Sequence, residues 1–469
     1  METPRAPHET PWWARWALLA LVLAAGWLRL PGLTAEEPWF DEVFSIVLAS
    51  QDLPELLRRA IADQTNPPGF YLLLWGWSRL GGFDLGWMRL LPAIAGTLTV
   101  PALAFAARAT GASWSAALVA AALTAVSPLM LGMSGELRAY APLALVTALA
   151  IAAAGSRRPV ALALCGLALV SLHYFGALVV ASLALGALWT DRTRPRRAIA
   201  PALPAAITLG AWALVVVWSA GRETVGGNAA WVAPAGLRDL PGFASQVIGT
   251  FGTSWGAVAV SLALLAALAL GLRAAHPATA SASADPSTHG ARLAVASAVL
   301  PLLLVAVASA LTGRGLWVAR YLIIALPGWC LLLARALDRP APWRATAAAA
   351  LLAWAALAGP YYELARPRKT AWSLVARALT AGTARTICVN ESFVGLPLRY
   401  QSIVTEVPLT VLDLAGCTAP TGADAIVLRV GTEASLDRLR AAGAAIGPAR
   451  ALGTTLPATS IHRLTWPAR

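Results

Sequence analysis

The chain has 469 residues, 58% of them hydrophobic and only 13% charged, with a mean hydropathy of +0.65. A soluble domain carries nearer a quarter charged residues, so an ordinary soluble enzyme or binding module is excluded. The net charge is +13, but the arginines stand in short clusters between apolar runs. Membrane topology accounts for such clusters, and no nucleic-acid partner is expected.

The first apolar run, Trp12 to Leu30, ends without a small-residue cleavage site and passes into Pro31-Gly32-Leu33. It is expected to be a retained helix and not a removed signal peptide. Arg5 and Arg15 place the N-terminus on the cytoplasmic side. Residues 34–65 then form an outer acidic loop with juxtamembrane helices, carrying Glu36, Glu37, Asp41, Glu42, Asp52, Glu55 and Asp63. Asn66-Pro67-Pro68-Gly69 opens an apolar helix to about Leu80, too short to span and read as juxtamembrane. Arg89 to Ala107 crosses inward and Ser113 to Met133 crosses back. That brings Ser134-Gly135-Glu136-Leu137-Arg138-Ala139-Tyr140 to the face of the acidic loop. A helix from about Pro142 returns to Arg157-Arg158.

The run Val160 to Trp189 would be ~45 Å long as one helix, too long for one ordinary crossing and short for two. One crossing would put the basic segment Asp191 to Arg197 outside. Two short helices broken at His173-Tyr174-Phe175 keep that segment inside and bring His173 to the outer face. Ile199 to Ser219 then crosses outward, residues 220–244 form an outer loop, and a helix returns at about Ala257 to Leu272. An Ala/Ser/Thr-rich cytoplasmic linker falls within 273–292. Further helices follow at about Leu293 to Leu311, Tyr321 to Leu337 and Arg344 to Tyr361. The total is about eleven crossings at ~20 residues each. Arg314 and Arg320 fall outside, against the charge rule, which invites a functional reading.

Beyond Tyr362 the composition shifts. Short strands are expected at Thr386 to Val389, Ala425 to Val430 and Ile461 to Trp466, and an amphipathic helix at Ala434 to Ala442. The chain therefore divides into an α-helical polytopic membrane domain, 1–362, and a small extracytoplasmic α/β domain, 363–469. Cys165 and Cys330 lie in apolar runs as core residues, while Cys388 and Cys417 can pair if their region faces an oxidising compartment.

Five segments offer chemistry. Asp41-Glu42 just beyond a membrane helix supplies a general base or a ligand for a hard divalent cation, Mg or Mn; the plainer reading is an acidic first turn of a helix. Glu136, Arg138 and Tyr140 at a helix break would complete an acidic site, or form an interfacial Glu–Arg pair. Pro67-Pro68-Gly69-Phe70-Tyr71 either starts a helix or shapes the wall of a lipid groove. Arg320-Tyr321 suits phosphate, since Arg binds it by charge-assisted, often bidentate hydrogen bonds; snorkelling is the alternative. His173-Tyr174 is a fifth candidate at its helix break. No GxxxxGK[ST], HExxH or CxxC pattern is present, which removes P-loop pumps and the corresponding zinc sites.

Taken in order, these segments resemble the membrane glycosyltransferases of the GT-C fold. The likeness is greatest to the branch of dolichyl-phosphate-mannose protein mannosyltransferases and aminoarabinose transferases, family 39 and its bacterial relatives. It rests on Asp41-Glu42, on Pro67 to Tyr71, on Arg89-Leu90-Leu91-Pro92-Ala93-Ile94-Ala95-Gly96, on Ser127-Pro128 before Gly135 to Tyr140, and on His173-Tyr174-Phe175 and Arg320-Tyr321. The resemblance implies inverting transfer of a sugar from a polyprenyl-phosphate donor to a glycan, lipid or protein acceptor, in a bacterial plasma membrane. By the same resemblance Asp41 is the base, Glu42 supports it or binds acceptor, and Glu136 is the second acidic position. Arg320 holds the donor phosphate; Tyr321, Arg138, His173, Tyr174 and Tyr71 are its expected companions in binding phosphate and lipid. Asp41 and Glu136 are the ligands to a metal if one is used, and no other cofactor is implied. Thr65-Asn66 stands where aminoarabinose transferases carry a charged pair, which argues against that donor. The readings that compete are a transporter or flippase for a lipid-linked saccharide, and a polysaccharide ligase or polymerase.

Overall fold

The computed structural model describes residues 10–31, 33–34, 36–64, 66–219, 254–276, 286–313, 315–318, 320–338, 385–389, 392–405, 409–414, 416–417, 424–429, 433–448, 450–451 and 459–465, with single residues at 243, 245, 247 and 379. The chain falls into two compact units. The first comprises Met1–Pro31, Leu57–Leu72 and Arg89–Arg366, and the second Gly32–Leu56, Leu73–Met88 and Pro367–Arg469.

The first unit is a helical bundle. Helix α1 (Trp12–Arg29) turns Trp12, Trp16, Leu23 and Trp27 outward and buries only Ala14, Ala25 and Arg29. Helix α2 (Phe40–Ala49), which belongs to the second unit, and helices α3 (Leu53–Asp63) and α4 (Gly69–Gly81), each divided between the two units, occupy most of what the sequence reads as an outer loop and its juxtamembrane continuation. Helix α5 (Leu85–Ala109) follows. Where the sequence predicts one crossing from Ser113 to Met133, the structure has two helices, α6 (Trp114–Val126) and α7 (Pro128–Ser134), bent by 56°. The cause is Pro128, which has no N–H for the carbonyl of Thr124 and disfavours helical geometry at Ser127. Helix α8 (Tyr140–Gly155) begins after the turn 135–139. The predicted break in the long apolar run is present: α9 (Pro159–Leu172) and α10 (Gly176–Thr190) are separate helices packed on each other.

Helix α11 (Leu203–Ser219) follows a short helical lead from Pro195, and α12 (Ser254–Ala275) precedes α13 (Pro286–Thr312). The expected linker 273–292 is therefore shorter than predicted, since helix continues to Ala275 and resumes at Pro286. Residues 277–285 lie outside the described residues, as do most of the expected outer loop 220–244, Arg314 and the helix Arg344 to Tyr361. A 3-10 turn at Tyr321–Ala325 leads into α14 (Leu326–Leu337). Against the expected eleven crossings, four of the described helices are long and apolar enough to span a membrane, or five with the bent pair as one span, and four apolar helices are shorter. The protein is a multi-pass membrane protein with a mostly helical fold and a small C-terminal sheet. Arg335 donates to Thr110 O at 2.7 Å and to Ser287 O at 3.0 Å, joining the ends of α5, α13 and α14. Cys330 is buried as expected, whereas Cys165 is only half-buried.

The second unit contains the sheet. Its strands β1 (Thr386–Val389), β2 (Thr410–Asp413), β3 (Ala425–Arg429), β4 (Ala445–Ile446), β5 (Arg450–Ala451) and β6 (Thr459–Thr465) run in the order β2-β1-β3-β6-β4, with β5 also on β6. Strand β1 pairs parallel with β2 and β3; β6 is antiparallel to β3. The parallel β1–β2 pair needs a crossover, and α15 (Ser392–Thr405) supplies it. Side chains alternate across the sheet. Ile387, Val389 and Val427 pack with Leu398 of α15, while Cys388 and Ile426 pack with Leu436 and Leu439 of α16 (Glu433–Ala441). Cys388 and Cys417 form a disulfide. Helix α2 packs on α15. Trp77 and Trp87 stack at 4.5 Å in the same unit, each indole donating to the other's backbone carbonyl.

Candidate active site

Three chain breaks of the first unit bring the predicted basic and aromatic residues together. At the start of α4, Pro67 and Pro68 set the helix direction, and a Cβ on Gly69 would stand 2.4 Å from Ser171 O. Glycine there lets α4 start against the end of α9, which puts Phe70 and Tyr71 beside Leu172 and His173 in one small crevice. Asn66, Arg138, Ala139 and Tyr140 line the rest of it. At the second break, a Cβ on Gly176 would meet Leu169 O at 2.2 Å, so the tight turn His173-Tyr174-Phe175 requires a glycine after it. The third is the turn between α7 and α8, where Arg138 N donates to Glu136 O at 2.7 Å.

The rings form a connected cage. His173 stacks on Phe175 at 5.3 Å, and Tyr321 lies 5.7 Å from His173, 5.1 Å from Phe175 and 6.1 Å from Tyr140. The Arg320 guanidinium sits 5.4 Å from the Tyr321 ring. Glu136, Arg138, His173, Tyr71 and Tyr140 are all at most 9% exposed. The Tyr71 hydroxyl faces Arg138 and Asn66. Burial raises the Tyr71 phenol above its ordinary value, against the pull of Arg138, with Asp63 adding to the rise. His173, in the turn between two apolar helices, is pushed down to about 3 by burial first and then by the charges of Arg138 and Arg320. Its imidazole is therefore neutral at pH 7. Nδ1 accepts Phe175 N–H at 3.2 Å, which leaves the ring proton on Nε2 as a donor.

The buried Arg138 and the half-buried Arg320, beside a neutral imidazole and three phenols, form an arrangement that suits an anion. A buried cation costs free energy unless charge and hydrogen bonds compensate it, and a phosphate would supply both. Tyr174 faces another direction: its hydroxyl accepts from Trp212 Nε1 at 2.7 Å and donates to Gln64 O at 3.2 Å, tying α11 to the segment before α4.

Asp41 and Glu42 belong to the second unit, in the first turn of α2. Glu42 is fully buried and its Oε2 accepts Trp39 N–H at 3.1 Å, so it caps its own helix. Asp41 is half-buried, and its backbone carbonyl accepts from Ser45 Oγ. Among the described residues no three His, Cys, Asp or Glu side chains gather to hold a metal ion. Asp41 and Glu136, the carboxylates the sequence offers to a cation, belong to the second and the first unit respectively. Asn66 and Phe175 stand in the sequence only as members of their motifs, while Tyr140 is offered with Glu136 and Arg138 at the helix break. Phe175 lies two residues after His173 and next to Gly176, and Asn66 three residues before Gly69.

No family model matches this sequence, and no curated protein matches it. Solved structures do. ArnT from Cupriavidus metallidurans bound to undecaprenyl phosphate superposes with a TM-score of 0.58 at 14% identity, over 96% of this chain and 98% of that one. Arabinofuranosyltransferase AftD from Mycobacteria gives a TM-score of 0.54 at 15% identity, over 97% of this chain and 42% of that one. The Archaeoglobus fulgidus oligosaccharyltransferase tethered to an acceptor peptide gives 0.50 at 13% identity, over 86% of this chain and 64% of that one. The chain has the GT-C fold that these membrane proteins share.

Proposed function

We propose that the protein is a membrane glycosyltransferase that takes a sugar from a polyprenyl-phosphate donor and passes it, with inversion, to an acceptor at the outer face of a bacterial plasma membrane. The observation that carries this reading is the meeting of Arg138 and Arg320 at His173 inside a cage of Tyr71, Tyr140, Phe175 and Tyr321. The GT-C fold supports it, as does the undecaprenyl phosphate in the ArnT complex. The disulfide in the C-terminal sheet fits an oxidising, extracytoplasmic location for that domain.

In the proposed reaction the acceptor's O–H or N–H group attacks the anomeric carbon. Asp41 takes the acceptor's proton as general base. The bond from the anomeric carbon to the phosphate oxygen breaks, and its electron pair leaves with the polyprenyl phosphate. Arg138 and Arg320, with the His173 Nε2 proton and the Tyr71 hydroxyl, stabilise the charge that grows on the leaving group. Attack opposite the departing phosphate inverts the anomeric centre. Glu42 holds the helix that presents Asp41, and Glu136 supports the Arg138 turn. The sugar and the acceptor are open to a panel. Purified protein is incubated with several undecaprenyl-phosphate-linked sugars and candidate acceptors. Mass spectrometry follows release of undecaprenyl phosphate, and NMR reads the product's anomeric configuration. Release with inversion, lost in Asp41→Asn, is expected; a retained configuration would refute the single-displacement mechanism.

A further inference from the structure

We propose that Arg29 is a positioning residue: it ties the broken helix α6–α7 to α1 and thereby fixes the turn that carries Glu136 and Arg138. The geometry stands by itself; its consequence for phosphate binding rests on the function proposed above. Arg29 is the last residue of α1 and only 4% exposed. A guanidinium buried in an apolar bundle is costly unless its donors are met, and these are. Nε donates to Ser134 Oγ at 3.1 Å. Nη1 donates to Ala25 O at 2.9 Å and to Ala125 O at 3.1 Å, and Nη2 to Thr124 O at 3.4 Å.

Thr124 and Ala125 lie in the last turn of α6, where the break at Pro128 leaves carbonyls without a helical partner. The break supplies acceptors and the arginine supplies donors, so each removes the other's cost. Ser134 ends α7, and its hydroxyl also donates to Met130 O. Gly96 on α5 closes the knot: a Cβ there would stand 2.0 Å from Ser134 Oγ and 3.0 Å from Arg29 Nε. Two motifs without a chemical role, Gly96 after Arg89-Leu90-Leu91-Pro92 and Ser127-Pro128, meet here. Four residues beyond Ser134, the same turn delivers Arg138 to the crevice.

The test uses the full chain in lipid nanodiscs, with hydrogen exchange at residues 127–139 and titration with undecaprenyl phosphate. Arg29→Gln should raise exchange across 127–139 about tenfold while α10 and α13 keep wild-type rates, and should weaken undecaprenyl phosphate about fivefold. Arg29→Lys, with the charge but not the forked donors, should recover part of both. In an Arg138→Ala background Arg29→Gln should add less than a further twofold. Ser134→Ala removes one hydroxyl and serves if Arg29→Gln does not fold; it should show the same regional rise at smaller size. Wild-type exchange at 127–139 in a folded Arg29→Gln or Ser134→Ala protein would overturn the proposal, and so would full additivity with Arg138→Ala. Should Arg138→Ala alone bind undecaprenyl phosphate as wild type does, the phosphate reading fails, and the exchange data then decide the positioning role.

Discussion

The basic cluster of the first unit and the acidic helix start of the second are built by different means. Arg138, His173, Tyr71 and Tyr140 are nearly inaccessible and locked at helix breaks, each held by a hydrogen bond or a ring contact. Asp41 is half-buried in the first turn of a short helix that rests on α15 of the C-terminal domain. The contrast matches the two proposed tasks. A phosphate site of buried guanidiniums repays its desolvation only when the geometry is fixed. A general base must be reached by an acceptor that arrives from solvent.

The largest effect should come from Asp41→Asn. Loss of a general base costs about 10²- to 10⁴-fold in rate, measured as turnover with an active donor, while undecaprenyl phosphate affinity stays at the wild-type value. A matching loss of affinity would erase the division of labour. Arg138→Ala and Arg320→Ala should act the other way. Each removes a charge-assisted contact of roughly 1.5–3 kcal/mol, or about 10- to 150-fold in the dissociation constant for undecaprenyl phosphate. Smaller still, Gly176→Ala forces a methyl group onto the Leu169 carbonyl. It should destabilise the protein by about 1–3 kcal/mol and weaken undecaprenyl phosphate together with the melting temperature. Unchanged melting would mean that the turn relaxes freely.

The smallest effect is in pH. His173 has an ordinary value of 6.5 and a folded value of about 3. Between those values the unfolded chain binds the extra proton, so stability rises with pH and is lost on acidification below about 6.5. His173→Asn should flatten the melting temperature measured from pH 7 down to 5. An unchanged slope would place the titrating group elsewhere.

Much of this arrangement was legible in the sequence. The break at His173 followed from length and charge together: thirty apolar residues fit neither one crossing nor two full ones, and a single crossing would put the basic segment Asp191 to Arg197 outside. Strands β1, β3 and β6 and helix α16 were visible because a composition shift exposed their periodicity. Strands β2, β4 and β5 were not, because two to four residues carry no pattern of their own and take strand geometry from their neighbours. The kink at Ser127 was missed although Pro128 was in view, since the apolar run on both sides is continuous. Arg138, His173, Arg320 and Tyr321 were named from helix breaks, the charge rule and the family resemblance, but their mutual contact is tertiary and cannot be read from order. Glu42 shows the opposite limit. Adjacent to Asp41 it reads as a second catalytic carboxylate, while its buried bond to Trp39 N–H makes it a helix cap.

The central claim is that phosphate recognition and proton removal belong to separate clusters. Undecaprenyl phosphate titrated into wild type, Asp41→Asn and the Arg138→Ala/Arg320→Ala double variant tests it most directly. The account predicts equal affinity for wild type and Asp41→Asn and at least a hundredfold loss in the double variant. Wild-type affinity in the double variant would contradict it.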